Sequence, residues 1–291
     1  MAELAGKIAL VTGGGHGIGR SISLALAAAG AHVVLAGRRP APLEETAGEI
    51  AAAGGLAALT LLDVTDREQV EAVFEQTVAN FGALDLLVNN AGRFRSVVPL
   101  WESDPDEWWG DLRTNLWGTY LCCRAALRHM VARRQGKIIN MAGGGSLAPL
   151  PYATAYGASK TAVARLSETL QREAEEFGVN VYAIIPGLVR SEMTEFLMAN
   201  EKARRFHADV EERMGAGRDF SPELAGKLCA FLAGPGGDRL GGRFLLAMED
   251  YEEIARRADE VIAQDLYTLR RATLPGRTPP PGVGGRAGGH Q

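Results

Sequence analysis

Seven short apolar runs, separated by longer stretches of helical periodicity, constrain this chain more than any other feature. The runs KIALVT, HVVLAG, LAALTLL, LDLLVNN, KIINMA, VNVYAII and GRFLLAM are close to continuously apolar, the pattern of strands buried on both faces of a parallel sheet. Between them, segments such as SISLALAAAG, DREQVEAVFEQTVANFG and ASKTAVARLSETLQREAEEFG carry apolar residues every three or four positions and close on glycine. They read as helices that pack one face on the sheet and stop at a left-handed cap. Asp66, and Ser221 followed by Pro222, are helix-start signals. Repeated strand–helix units of this kind predict an α/β fold built on a doubly wound sheet of seven mostly parallel strands.

The alternation breaks twice. Residues 191–219 form an amphipathic helical insert after the sixth strand, a place suited to a lid over a ligand. Beyond the domain, taken as residues 1–250, a charged helix runs from about Tyr251 to Asp265 within an extension reaching residue 274. The tail, residues 275–291, is rich in proline and glycine and poor in apolar residues, which predicts a flexible segment.

Composition excludes several classes of function. The 291 residues carry a net charge of −4 with Lys and Arg scattered, so no basic stripe offers a nucleic-acid footprint. Cys122 and Cys123 are adjacent, Cys229 stands alone, and no C-x-x-C exists, which points to buried thiols in a reducing compartment. The N-terminal residues lack the pattern of a secretory leader, and no apolar run reaches about 18 residues; the expectation is a cytoplasmic protein with no membrane partner. The five histidines show no H-E-x-x-H or paired ligand spacing, so no metal site is expected.

The segment TGGGHGIGR, Thr12 to Arg20, follows the first apolar run and opens the first helix. Glycines there let the backbone approach a pyrophosphate, whose charge is met by the amides and dipole of the helix N-terminus. Its position at the first strand–helix junction makes the sheet a Rossmann-type dinucleotide fold. The candidate contacts are Gly13, Gly15, His16, Gly17, Ile18 and Gly19.

The spacing Thr12-Gly13-x-x-x-Gly17-x-Gly19 resembles the turn of the short-chain dehydrogenase/reductase family, and the resemblance continues in order from Lys7 to about Phe244. Asp63-Val64 is similar to the family's adenine-side contact, and Asn89-Asn90-Ala91-Gly92 to its N-N-A-G motif. Asn115 falls at its helix-bending asparagine, Tyr156-x-x-x-Lys160 at its catalytic pair, and Pro186-Gly187, with Val189 beyond, at its nicotinamide-side turn. The resemblance implies cofactor contacts from Asp63, Val64, Asn89, Ala91, Gly92, Tyr156, Lys160, Pro186, Gly187 and Val189. It also implies subunit association into a homodimer or homotetramer.

At the end of the second run Gly37 stands where an acidic residue would bond a ribose 2′-hydroxyl, and Arg38 follows. A guanidinium pairs well with a 2′-phosphate, so NADP(H) is favoured over NAD(H), with His16 as a second basic contact.

Tyr156 and Lys160, four apart on a helix, share a face. In the family mechanism that this pair resembles, Tyr156 exchanges a proton with the substrate oxygen, Lys160 holds the nicotinamide ribose and lowers the tyrosine pKa, and the backbone at Asn115 holds a relay water. The family's fourth member, a serine thirteen residues before the tyrosine, falls here on Gly143. Losing one such donor can cost on the order of 10²–10³ in rate. Ser146 could replace it or be a solvated turn residue; a backbone amide, a water or a substrate hydroxyl are the alternatives. The expected function is reduction or oxidation of a small carbonyl/alcohol substrate. Altered chemistry (a cyclase, dehydratase or imine reductase) and a non-catalytic NADP-binding role are the other readings that Gly143 leaves open.

Overall fold

The structure, a computed structural model, describes residues 3–270. Strands β1 (Ile8–Thr12), β2 (His32–Gly37), β3 (Leu56–Leu61), β4 (Leu86–Asn89), β5 (Gly136–Met141), β6 (Val179–Ile185) and β7 (Phe244–Leu246) form one sheet in the order β3-β2-β1-β4-β5-β6-β7. Every pairing is parallel. The flanking helices are α1 (Gly17–Ala28), α2 (Pro40–Ala52), α3 (Arg67–Phe81), α4 (Pro105–Leu112), α5 (Gly118–Arg133), α6 (Thr154–Ala174) and α10 (Pro222–Ala233), with α7 (Glu192–Ala199), α8 (Glu201–Phe206) and α9 (Ala208–Gly215) in the insert.

The alternation of side chains along β1 divides the core into two layers. Ala9 and Val11 pack with Ile22 and Leu26 of α1 and Leu228 and Leu232 of α10. Ile8 and Leu10 face the other way, against Phe74 of α3 and Cys122 and Met130 of α5. Burial on both faces is why the strand reads as an unbroken apolar run. All three cysteines are buried free thiols. The two helix-start signals act as caps: Asp66 accepts from the amides of Glu68 and Gln69, and Ser221 from that of Glu223.

Two expectations need correction. The run at β3 is apolar, yet the strand lies at the sheet edge, where Leu56, Leu59 and Leu61 are exposed; the run reflects sequence, not burial. The single helix expected from Tyr251 is two, α11 (Tyr251–Arg256) and α12 (Ala258–Ala263). Arg257 (φ −97°, ψ 23°) leaves the helical region between them. Ile254, Ala258 and Val261 still reach the α1–α10 layer. The tail and the last residues of the extension lie outside the described residues.

The helical insert is a group of three short helices, α7, α8 and α9. Ser191 and Thr194 form a capping box that starts α7, and Asn200 accepts from the Ala203 amide to start α8. Their apolar faces, including Leu197, Ala203, Val210 and Met214, close on Phe94 and Val97 from the segment after β4.

A polar chain crosses the core beneath this region. Asn89 Nδ2 donates to Asn140 Oδ1 (2.8 Å), Asn140 Nδ2 to Ser167 Oγ (2.9 Å), and Ser167 Oγ to the Val163 carbonyl (2.8 Å). The chain ties β4, β5 and α6 together. Asn140→Leu leaves the buried Asn89 amide with only the Cys123 thiol, a weak acceptor, and takes away the donor to Ser167, which costs about 1–3 kcal/mol. The expected result is a lowered urea midpoint at unchanged m-value.

Candidate active site

From β1 the chain builds the sheet outward through β2 and β3, and it then returns to place β4 on the other side of β1. This reversal opens a crevice at the carboxyl ends of β1 and β4, where doubly wound sheets bind ligands. Thr12 holds the crevice in shape. Its hydroxyl accepts from the amides of Asn90 (3.0 Å) and Ala91 (3.1 Å), and Asn90 Nδ2 donates back to the Thr12 carbonyl (3.0 Å).

The glycine turn fills its own space closely. A Cβ on Gly19 would stand 2.0 Å from the Gly13 carbonyl oxygen, and one on Gly15 would stand 2.8 Å from the Pro42 backbone. Gly13 and Gly17 take left-handed φ values of 65° and 52°, where a side chain is strained. His16 precedes α1 without a side-chain cap, so the first-turn amides of Gly17, Ile18 and Gly19 have no partner among the described residues. A groove of about 610 Å³ runs past them, lined by Gly13, Gly15, Arg38, Asp63, Val64 and Gly92 among others. Unpaired helix-terminal amides, a turn that excludes side chains and a groove of this size fit a dinucleotide. At one end Asp63 accepts from the Thr65 amide and hydroxyl (2.9 and 2.8 Å).

At the same end lies a feature without a motif. Glu192, in the first turn of α7, receives Arg39 Nη2 on both carboxylate oxygens (2.8 and 2.9 Å) and stands 3.1 Å from His16 Nε2. Burial opposes ionisation of this carboxyl, but Arg39 and His16 outweigh it and hold the group below the usual carboxylate range. Arg38 has no side-chain partner among the described residues.

At the inner end the helix α4–α5 carries a π-helical turn, Arg113–Trp117, that aims Asn115 inward. Asn115 is fully buried; its Oδ1 accepts from the Arg93 amide (2.7 Å) and its Nδ2 donates to the Arg93 carbonyl (2.8 Å) and to Ser159 Oγ (3.1 Å). Ser159 Oγ in turn donates to the Tyr156 carbonyl (2.7 Å). The asparagine thus fixes the segment after β4 to the helix that bears Tyr156. Its own carbonyl accepts the Thr119 hydroxyl (2.7 Å), so a relay water there would take the second lone pair.

Tyr156 stacks on Phe94, with ring centroids 4.2 Å apart and an interplanar angle of 16°. Lys160, almost fully buried, donates from Nζ to the Met141 carbonyl (2.8 Å), with Nζ 5.7 Å from the Tyr156 ring centroid. Burial, with a smaller push from the Asp111 carboxylate, raises Tyr156 to about 12. Burial also lowers Lys160 to about 8. Desolvation disfavours the charged form of each.

Gly143 faces this pair: a Cβ there would lie 2.6 Å from the Tyr156 hydroxyl oxygen. Ser146 is not a solvated turn residue but is buried, and its Oγ accepts from the Gly143 amide at 3.4 Å.

Six members of the inferred cofactor set, Asn89, Tyr156, Lys160, Pro186, Gly187 and Val189, are not among the residues that line the groove. Asn89 is engaged with Asn140 and Cys123 in the core, and its neighbour Asn90 lines the groove instead. Pro186, Gly187 and Val189 follow β6 and are not among the groove's lining residues; at Gly187 a Cβ would meet Met248 and Phe220 at 2.7 Å. Asp111 and Phe94 carry no motif. Asp111 is wholly buried and accepts from Arg93 Nη1 (2.9 Å) and from the amides of Arg95 and Ser96 (both 3.0 Å), which sets the loop that presents Phe94.

The short chain dehydrogenase model matches residues 7–202. The chain belongs to the short-chain dehydrogenase/reductase family. It is 37% identical to the 3-oxoacyl-[acyl-carrier-protein] reductase FabG of Haemophilus influenzae over 78% of this chain and 90% of that protein. It is 35% identical to the short chain dehydrogenase mpl6 of Monascus purpureus over 91% and 88%. A short-chain type dehydrogenase/reductase from Mycobacterium marinum superposes with a TM-score of 0.77 at 32% identity, covering 84% of this chain and 95% of that one. A variant of the actinorhodin polyketide ketoreductase with NADPH gives 0.75 at 29% identity, covering 82% and 95%. This short-chain dehydrogenase/reductase is therefore an oxidoreductase for CH–OH and C=O groups that uses a nicotinamide dinucleotide. No helix among the described residues is long and apolar enough to cross a membrane, and among those residues no cluster of three or more His, Cys, Asp or Glu could hold a metal ion.

The lowered Lys160 pKa has a measurable consequence. Between about pH 8 and about 10.4 the unfolded lysine binds a proton that the folded one does not. Its contribution to stability therefore rises with pH across that window. The difference in unfolding free energy between wild type and Lys160→Met is expected to change in favour of wild type from pH 8 to 10, read by urea titration at each pH.

Proposed function

We propose that the chain is an NADP(H)-dependent ketoreductase or alcohol dehydrogenase in which Tyr156 is the general acid/base. The observation that carries this reading is the seating of Tyr156 on Phe94 at the inner end of the groove, with Lys160 beside it and Asn115 holding its helix. The bound coenzyme supplies or accepts the hydride. Tyr156, whose pKa is raised by burial, holds its proton at neutral pH and gives it to the substrate oxygen as a carbonyl is reduced. Lys160 orients the coenzyme ribose, and its ammonium favours the phenolate that follows. Arg38, free at the end of β2, favours the 2′-phosphorylated coenzyme, in keeping with the NADPH carried by the ketoreductase relative.

Gly143 gives Tyr156 room: the phenol occupies the space a side chain at 143 would need. The missing hydroxyl is supplied by Ser146, which is buried and already turned toward the Gly143 amide. The chain also associates with copies of itself; the exposed stacked pair Trp117 and Tyr120 on the α4–α5 helix supports this, and sedimentation velocity giving only monomer would refute it.

The first test is oxidation of NADPH, and separately NADH, against ketones, diketones, quinones and imines. Tyr156→Phe is expected to lower turnover by at least on the order of 10² while coenzyme binding persists. Turnover that survives this change would remove Tyr156 from the mechanism. Gly143→Ser is expected to lower kcat by displacing the tyrosine, and a gain in activity would show that the space is not needed.

A further inference from the structure

Glu192 bridges the insert to the end of the groove lined by His16, Arg38 and Arg39. Its partners come from two other elements: His16 belongs to the glycine turn before α1, and Arg39 to the junction between β2 and α2. All three side chains are about half exposed, with 44% for His16, 54% for Arg39 and 59% for Glu192. Glu192, His16, Arg38 and Arg39 line the same groove. An anion carried by the protein itself thus sits on the Arg39 guanidinium and the His16 imidazole at the end of the groove lined by Arg38.

We propose that Glu192 is a coenzyme-sensing latch, whose carboxylate holds α7 on His16 and Arg39 until a coenzyme carrying a 2′-phosphate takes those two partners over. This rests on the NADP(H) reading above and adds a competitor to it: the glutamate has to leave Arg39 and His16 before a 2′-phosphate can reach them. A single carboxylate on an exposed pair contributes little, about 0–1 kcal/mol. A phosphate monoester near neutral pH brings nearly two charges and three acceptor oxygens, so it displaces the carboxylate readily. A coenzyme with a ribose 2′-hydroxyl offers no charge to compete, and the latch stays closed over it. The same contact therefore couples which coenzyme is bound to how firmly the start of the insert is held. Ser191, next to Glu192, forms the capping box of α7, so release of the glutamate loosens the first turn of the helix rather than an isolated side chain. Arg38, with no side-chain partner among the described residues, needs no release and gives the phosphate its first foothold.

The test is equilibrium binding of NADPH and NADH to wild type, Glu192→Gln and Glu192→Ala, followed by coenzyme fluorescence without substrate. Removing the competing carboxylate is expected to tighten NADPH about threefold to fivefold in both variants and to leave NADH within about twofold. Hydrogen exchange gives a second reading: NADPH, and not NADH, is expected to speed exchange across residues 192–199 in wild type, and in Glu192→Gln that segment is expected to exchange fast with no coenzyme added. An equal change in both affinities, no change in either, or weaker NADPH binding in the variants overturns the latch. If wild type prefers NADPH and the variants keep that preference unaltered, only the latch fails. If wild type prefers NADH or binds neither coenzyme, the NADP(H) reading fails with it.

Discussion

The bonds from Thr12 to Asn90 and Ala91 hold the site together. They join the last residue of β1 to the segment after β4, the two chain ends that part at the reversal of strand order. A crevice at such a point is otherwise only the gap between two loops running in opposite directions. With one hydroxyl and one carboxamide fastening its sides, the glycine turn on one wall and Gly92–Arg95 on the other keep a fixed separation. The turn's lack of side chains and the placement of Phe94 both depend on that separation.

From this fastening the site extends inward by a short series of buried polar contacts. Asp111 gathers Arg93 and the amides of Arg95 and Ser96, Asn115 grips both the amide and the carbonyl of Arg93, and Ser159 passes the connection to the Tyr156 backbone. The reactive phenol is therefore positioned by its neighbours' backbone, while its ring is held flat on Phe94. Desolvation has opposite effects on the pair: it keeps the proton on Tyr156 and makes Lys160 a weaker base than a solvent-exposed lysine.

Much of this was legible in the residues. Continuous apolar runs and their spacing located all seven strands, because burial on both faces leaves little freedom of composition. The turn Thr12–Arg20 and the pair Tyr156–Lys160 were legible because their chemistry fixes spacing within a single element. What escaped depends on distance in sequence. Phe94, Asp111 and Glu192 acquire their roles only when separate elements meet, and none has a local pattern. Asn89 and Asn90 form one motif, yet strand alternation sends the first into the core and the second into the groove. The β3 run looked buried because periodicity reports apolar faces and not which strand ends the sheet.

The π-helical turn at Arg113–Trp117 acts as a phase joint. One residue is about 100° of rotation on an α-helix, and the wide turn inserts such an offset between α4, which carries Asp111, and α5, which packs Cys122 and Met130 on the sheet. Deleting one residue there would restore an unbroken ladder of backbone bonds and yet turn one half of the helix away from its partners. A surface loop generally tolerates the gain or loss of a residue; across this joint the count is locked by the two faces it keeps in register.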